Sequence, residues 1–120
     1  MQFQKTILVV DDNGSHRLLP GLILRPLGYT VLECASGLEA MDVLKTEPVT
    51  GVLLDIQMPG LNGLDVLRAI RSNPSLSRTK VIAYTAYATA AEIDPLIAQG
   101  FNDVLIKPIK SMQLIKIVAN

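Results

Sequence analysis

GVLLDIQMPGLNG, residues 51–63, opens as a buried strand and then breaks. Small and apolar residues run into one carboxylate, Asp55, and from Met58 the chain becomes stiff and glycine-rich. A short, unbroken apolar run bounded by turn residues is what a strand covered on both faces requires. Pro59 fixes φ, Gly60 permits a turn, and Asn62-Gly63 is a pair that allows positive φ ahead of the next helix. An acid at the end of a buried strand, held by so rigid a loop, needs a reason other than packing.

Runs of the same kind recur on either side. They are KTILVV (5–10), YTVLEC (29–34), TGVLLD (50–55), KVIAY (80–84) and DVLIK (103–107). Helix-like stretches lie between them, near 15–27, 37–46, 63–72, 89–99 and 111–119. Five alternations of strand and helix predict a parallel sheet with helices on both faces. Right-handed crossovers leave few topologies. The commonest for five units is the α/β, flavodoxin-like, doubly wound five-stranded sheet of order 2-1-3-4-5 with five helices. At 120 residues, with no repeat, linker or low-complexity segment, the chain is expected to be a single domain over 1–120.

Composition narrows the function classes. The chain is 49% hydrophobic, has no tryptophan, and carries zero net charge with no basic run, so nothing in it recommends nucleic acid or an anionic membrane as partner. No signal peptide is expected from residues 1–120, and no apolar run in them is long enough to span a bilayer. The one cysteine, Cys34, cannot form an internal disulfide, which points to the cytoplasm, and its plain role is that of a small buried hydrophobe.

In a parallel sheet every strand's carboxyl end lies on one edge, and ligands bind there near the point where strand order reverses. Asp11 and Asp12 follow the first strand and Asp55 ends the third, so the predicted order brings three carboxylates together. Thr85 ends the fourth strand and Lys107 the fifth. Two carboxylates roughly 4 Å apart repel by about 4 kcal/mol at an effective dielectric near 20. Such a cluster suits a hard divalent cation better than it suits packing. Few protein oxygens with room for water favour Mg²⁺, which binds one or two carboxylates plus a substrate phosphate. The chemistry that follows is phosphoryl transfer, with Asp55 as nucleophile and Lys107 neutralising phosphoryl oxygens opposite the metal. The rigid loop would aim the backbone carbonyl of Gln57 at that metal. Taken singly these residues have plainer readings: Asp-Asp after a strand as a helix cap, Lys107 as a loop lysine, Thr85 as part of a strand. Only their convergence argues otherwise.

With these residues in place the chain resembles a response-regulator receiver domain, the phosphorylatable module of two-component signalling. The matching residues are VVDDN (9–13), LDIQMPGLNG (54–63), TA (85–86) and KPI (107–109), with 30 residues from Asp55 to Thr85 and 22 from Thr85 to Lys107. Each motif alone is weak; the four in order span essentially the whole chain. The resemblance implies Asp55 as phosphoacceptor, with Asp12, Asp55 and the Gln57 carbonyl on Mg²⁺ and Asp11 assisting. It implies that Lys107 pairs with the phosphoryl group, that Thr85 hydrogen-bonds it, and that Ala86 leaves room for the donor. The implied partner is a sensor histidine kinase or histidine phosphotransfer domain, and the implied switch is the surface of the fourth helix, fifth strand and fifth helix. The VDDN start and the MPGLNG loop are similar to receivers attached to hybrid sensor kinases.

Several features depart from the family pattern. Val104 stands three residues before Lys107, where many receivers carry an aromatic. Pro20 and Pro26 fall in or near the first helix and Pro95 within the fourth, so the first helix is expected to kink or end early, and segment 86–99 is expected to be irregular or mobile before phosphorylation and the main responder after it. His16 reads as a surface residue. Tyr84 and Tyr87 should both point away from the side Thr85 takes, with Tyr87 close enough to the pocket mouth to screen water. Two other functions fit the same acids: a Mg²⁺-dependent hydrolase of small phosphate esters using Asp55, and a pseudo-receiver that only binds partners. Against the first, position 57 is Gln, which leaves no second acid beside Asp55 for turnover.

Overall fold

In the computed structural model, described over residues 5–86 and 89–119, strands and helices alternate as the apolar pattern predicts. The elements are β1 (Thr6–Val10), α1 (Gly14–Leu24), β2 (Thr30–Cys34), α2 (Gly37–Thr46), β3 (Gly51–Leu54), α3 (Gly63–Ser72), β4 (Lys80–Thr85), α4 (Ala90–Gln99), β5 (Asp103–Ile106) and α5 (Ser111–Ala119). The five strands form one sheet of order β2-β1-β3-β4-β5, and every adjacent pair is parallel.

Strand alternation divides the core into two layers. Leu8, Val10, Val52, Leu54, Val81 and Ala83 pack on the face covered by α2 and α3, against Ala40, Leu44, Val66, Leu67 and Ile70. Val9, Leu53, Ile82, Tyr84 and Leu105 pack on the other face against Leu24 of α1 and Leu114 and Ile117 of α5. Apolar residues buried on both faces of β1, β3 and β4 explain why these strands read as nearly unbroken runs, while the edge strand β2 exposes Thr30 and Glu33.

The helix starts are set by side chains that satisfy the first free amides. Asn13 accepts from the His16 amide, Ser36 from the Glu39 amide, and Asn62 and Asp65 form a reciprocal capping box on α3. The loop after Asp55 uses its residues differently from the sequence expectation. Gly60 takes φ +74, but Asn62 sits at φ −81 as the helix cap. Gly63 is required by space: a Cβ there would lie 2.3 Å from the Asp55 carbonyl oxygen and 2.7 Å from Ile56 Cα.

The prolines disturb less than expected. α1 runs through Pro20 and ends at Leu24, tightening into a 3-10 turn over Arg25–Leu27 that holds Pro26. Ala90–Gln99 is helical with Pro95 inside it, so the irregular backbone expected of this segment is not seen over 90–99. One missing amide removes one bond, and Gly100 closes the helix by donating to the Leu96 and Ile97 carbonyls.

Candidate functional site

The sheet's hydrogen-bond ladder runs one residue past the strands and so fixes the site's backbone. Val10 pairs in register with Cys34 and Leu54. The next amides continue the ladder: Asp11 N–H donates to the Cys34 carbonyl (3.1 Å), Asp55 N–H to the Val10 carbonyl (2.9 Å) and Lys107 N–H to the Thr85 carbonyl (2.8 Å). These bonds seat Asp11 and Asp55 on the neighbouring ends of β1 and β3, and Lys107 beyond the end of β5 two strands from β3, all at the carboxyl edge. Asp11, Asp12, Asp55, Gln57, Thr85, Ala86 and Lys107, the residues predicted for the site, all line one open pocket of about 320 Å³.

Asp11 is fully buried. Its Oδ1 accepts the Asn13 amide at 2.9 Å, and its backbone carbonyl accepts Arg17 Nη1 at 2.8 Å. Its Oδ2 lies 2.6 Å from Lys107 Nζ but receives no hydrogen bond of good geometry. Asp55 is also buried; its Oδ1 accepts the Gln57 amide at 3.1 Å and its Oδ2 lies 3.7 Å from Lys107 Nζ. Asp12 is exposed at the rim, yet one carboxylate oxygen from each of the three acids lies within 4.8 Å of the others. Burial, and then the like charge of Asp11, push the Asp55 carboxyl up to about 6, against the opposing pull of Lys107 and the Gln57 amide.

This donor set fits a hard divalent cation. It offers the carboxylate oxygens of Asp11, Asp12 and Asp55, one of them buried without a hydrogen-bond donor, beside Gln57 and an open mouth that admits water and phosphate. Lys107 Nζ rests nearer Asp11 Oδ2, at 2.6 Å, than Asp55 Oδ2, at 3.7 Å. Thr85 is buried at the end of β4, and Ala86 is exposed beside it. Val104 is buried in the core layer under α2 and α3. Tyr87 lies outside the described residues.

Two side chains matter more than their sequence reading allowed. His16 lines the pocket with Nδ1 4.0 Å from Asp11 Oδ2, although its side chain is 44% exposed, so it is not simply a surface residue. Its position in the first turn of the helix that follows Asp12 was the available signal. Tyr84 does point away from Thr85's side, but its ring lies 4.6 Å from Lys107 Nζ. That contact crosses from β4 to the residue after β5 and has no signature in local spacing.

A family model described as the response regulator receiver domain matches residues 7–119. The chain belongs to the response regulator receiver family. As a receiver it is 37% identical over 115 residues to the sensor histidine kinase GacS of Pseudomonas protegens, covering 93% of this chain and 12% of that kinase. The receiver domain of a sensor histidine kinase from Pseudomonas aeruginosa, solved with a magnesium ion coordinated in its active-site cleft, superposes with a TM-score of 0.86 at 32% identity, covering 97% of this receiver and 95% of that chain. The chemotaxis response regulator CheY4 of Vibrio cholerae gives a TM-score of 0.89 at 25% identity and covers 98% of each chain. The sheet order and five helices agree with these neighbours, and phosphotransfer signalling is the activity that the family carries. No helix among the described residues is long and apolar enough to cross a membrane.

Proposed function

We propose that residues 1–120 form one receiver unit in which Asp55 accepts a phosphoryl group from a phosphohistidine of a sensor histidine kinase or histidine phosphotransfer domain. The observation that carries this reading is the convergence of Asp11, Asp12, Asp55 and Lys107, one lysine among three acids, on a single sheet edge. An Asp55 carboxylate oxygen attacks phosphorus, the P–N bond to the donor imidazole breaks, and the imidazole leaves with the bonding pair. The product is an acyl phosphate.

Each group then has a task. Lys107 moves its ammonium from Asp11 toward the phosphoryl oxygens. The Thr85 hydroxyl donates to one of those oxygens, and Ala86 presents no bulk to the incoming donor. Asp11, Asp12, Asp55 and the Gln57 carbonyl would hold Mg²⁺, which supplies charge neutralisation for the phosphoryl oxygens. Held there, the ion would favour the ionised form of Asp55 that burial opposes. The receiver acts in the cytoplasm as a signalling phosphoprotein, not as a hydrolase, because Gln57 offers no proton for turnover beside Asp55. The α4, β5 and α5 surface reads the charge change out, and the receiver itself makes no contact with nucleic acid or membrane.

Incubation with Mg²⁺ and acetyl phosphate tests this directly. Intact mass should rise by one phosphoryl group in the wild type and not in Asp55→Asn. Equal labelling of both proteins would remove Asp55 from its role.

A further inference from the structure

The pocket lysine sits on an aromatic ring for which the proposed function has no use. Lys107 Nζ lies 4.6 Å from the centroid of Tyr84, well inside the range of a cation–π contact. Both partners are withdrawn from water: Tyr84 is 1% exposed and the Lys107 side chain 8%. The ring is itself anchored, because its hydroxyl donates to the His16 backbone carbonyl at 3.1 Å.

That carbonyl is available for a reason legible in the chain. In a helix the His16 carbonyl would accept the amide of the residue four positions on, and that residue is Pro20, which has none. A proline inside α1 and a buried phenol each leave a polar group in need of a partner. Here they answer one another across the interface between α1 and β4.

We infer that Tyr84 is a positioning residue for Lys107, its ring seating the ammonium between Asp11 and Asp55 while the carbonyl opened by Pro20 holds the ring in place. The inference uses the proposed phosphoacceptor role of Asp55 for its consequence, though the seat itself stands on geometry alone. Asp11, at 2.6 Å, would hold Lys107 where it is of no use to a group on Asp55, whose Oδ2 is 3.7 Å away. A ring face attracts a cation without a directional bond, so the ammonium moves from one acid toward the other while its third contact persists. Burial and the neighbouring acids Asp11 and Asp55 raise the phenol's pKa, so Tyr84 keeps the proton it donates to His16.

Two variants separate the seat from mere core filling. Tyr84→Phe keeps the ring and loses the anchor; Tyr84→Leu loses both. In metal-free protein the Lys107 Cε protons should show an upfield ring-current shift by NMR in the wild type and in Tyr84→Phe, and none in Tyr84→Leu. With Mg²⁺ and acetyl phosphate, Tyr84→Leu should label Asp55 about five- to thirtyfold more slowly, the range of a desolvated cation–π contact. Tyr84→Phe should stay within about threefold of wild type, the worth of one modest hydrogen bond. A folded Tyr84→Leu that labels at the wild-type rate overturns the inference, as does a Tyr84→Phe as slow as Tyr84→Leu. If Tyr84→Leu does not fold, the Lys107 shift decides: its presence in wild type and Tyr84→Phe supports the seat, and its absence from either overturns it. If wild type is not labelled at all, the phosphoacceptor reading fails, and the same NMR shift still tells whether the seat exists.

Discussion

Replacing Asp55 with Asn should make the metal-free protein more stable, and should do so only where the wild-type acid is ionised. Asp55 is 6% exposed, and burial together with Asp11 moves its carboxyl from 3.8 to about 6. Each unit is worth about 1.4 kcal/mol between the protonation states, so holding Asp55 charged costs the fold about 3 kcal/mol at most. Asparagine removes that charge and still offers an oxygen to the Gln57 amide. Lys107 is not orphaned, since Asp11 lies 2.6 Å from it.

The pH window follows from the direction of the shift. Below about pH 4 the carboxyl is protonated in both the folded and unfolded chain, and the variant gains nothing. Between about 4 and 6 the unfolded chain releases its proton first, so the wild type loses stability relative to Asp55→Asn. Above about 6 the difference is complete, at about 1–3 kcal/mol, or about 4–12 °C in melting temperature for a domain of this size. Thermal melts of both proteins in EDTA at pH 4 and pH 8 measure it. Equal melting temperatures at pH 8 would refute the charge argument. A gain of the same size at both pH values would assign the effect to packing instead.

Other expectations follow from the same geometry. Asp12→Asn should give a smaller metal-free gain than Asp55→Asn, because Asp12 is exposed, yet should reduce the rise in melting temperature on adding Mg²⁺; an undiminished rise would move the metal elsewhere. Gly63→Ala drives a Cβ into the Asp55 carbonyl oxygen and Ile56 Cα, so it should destabilise by about 1–3 kcal/mol in a denaturant titration and slow Asp55 labelling. Arg71→Ala removes the guanidinium that donates to the carbonyls of Ser77, Thr79 and Gly100 and to Asn102 Oδ1; it should lower stability by about 2 kcal/mol without abolishing labelling, since the site lies at the opposite edge of the sheet.

The parts of this protein legible in its sequence are those that depend on period and order. Strand runs such as ILVV and VLL needed only two buried faces, and the order of five units fixed which strand ends meet. Asp11, Asp55 and Lys107 therefore reach the site by backbone register, and their convergence was predictable. The loop was half legible. Gly60 takes the left-handed turn its type allows, whereas Gly63 answers to the backbone of Asp55 and Ile56 lying against it, a contact no spacing rule encodes. Pro20 and Pro95 did not stop their helices, because each removes only one backbone bond. Tyr84 was illegible because its contact is with a lysine from another element, after β5, whereas His16 had one signal, its place in the first turn of the helix that follows Asp12.

The same register argument limits where a signal from Asp55 can travel. Asp11, Asp55 and Lys107 are tied into the ladder, so the floor of the site is rigid. α3, which follows the loop after Asp55, buries Gly63, Val66, Leu67 and Ile70. α4 contrasts with it: none of its described side chains is fully buried, and Ile93 and Leu96 alone are half-buried. An element with so little buried area sits at the low end of local stability and is the one that yields first. Its carboxyl end is held, because Arg71 clamps the Gly100 carbonyl with two bonds of 3.0 and 2.7 Å. Its amino end follows Thr85, and Thr85 shares with Ile56, Pro95 and Leu96 a second cavity of about 260 Å³. Val104 is short and β-branched, so no ring swings to carry the change. A Thr85 drawn toward a phosphoryl oxygen would instead alter a wall of that cavity, and α4 can answer by pivoting about its clamped end.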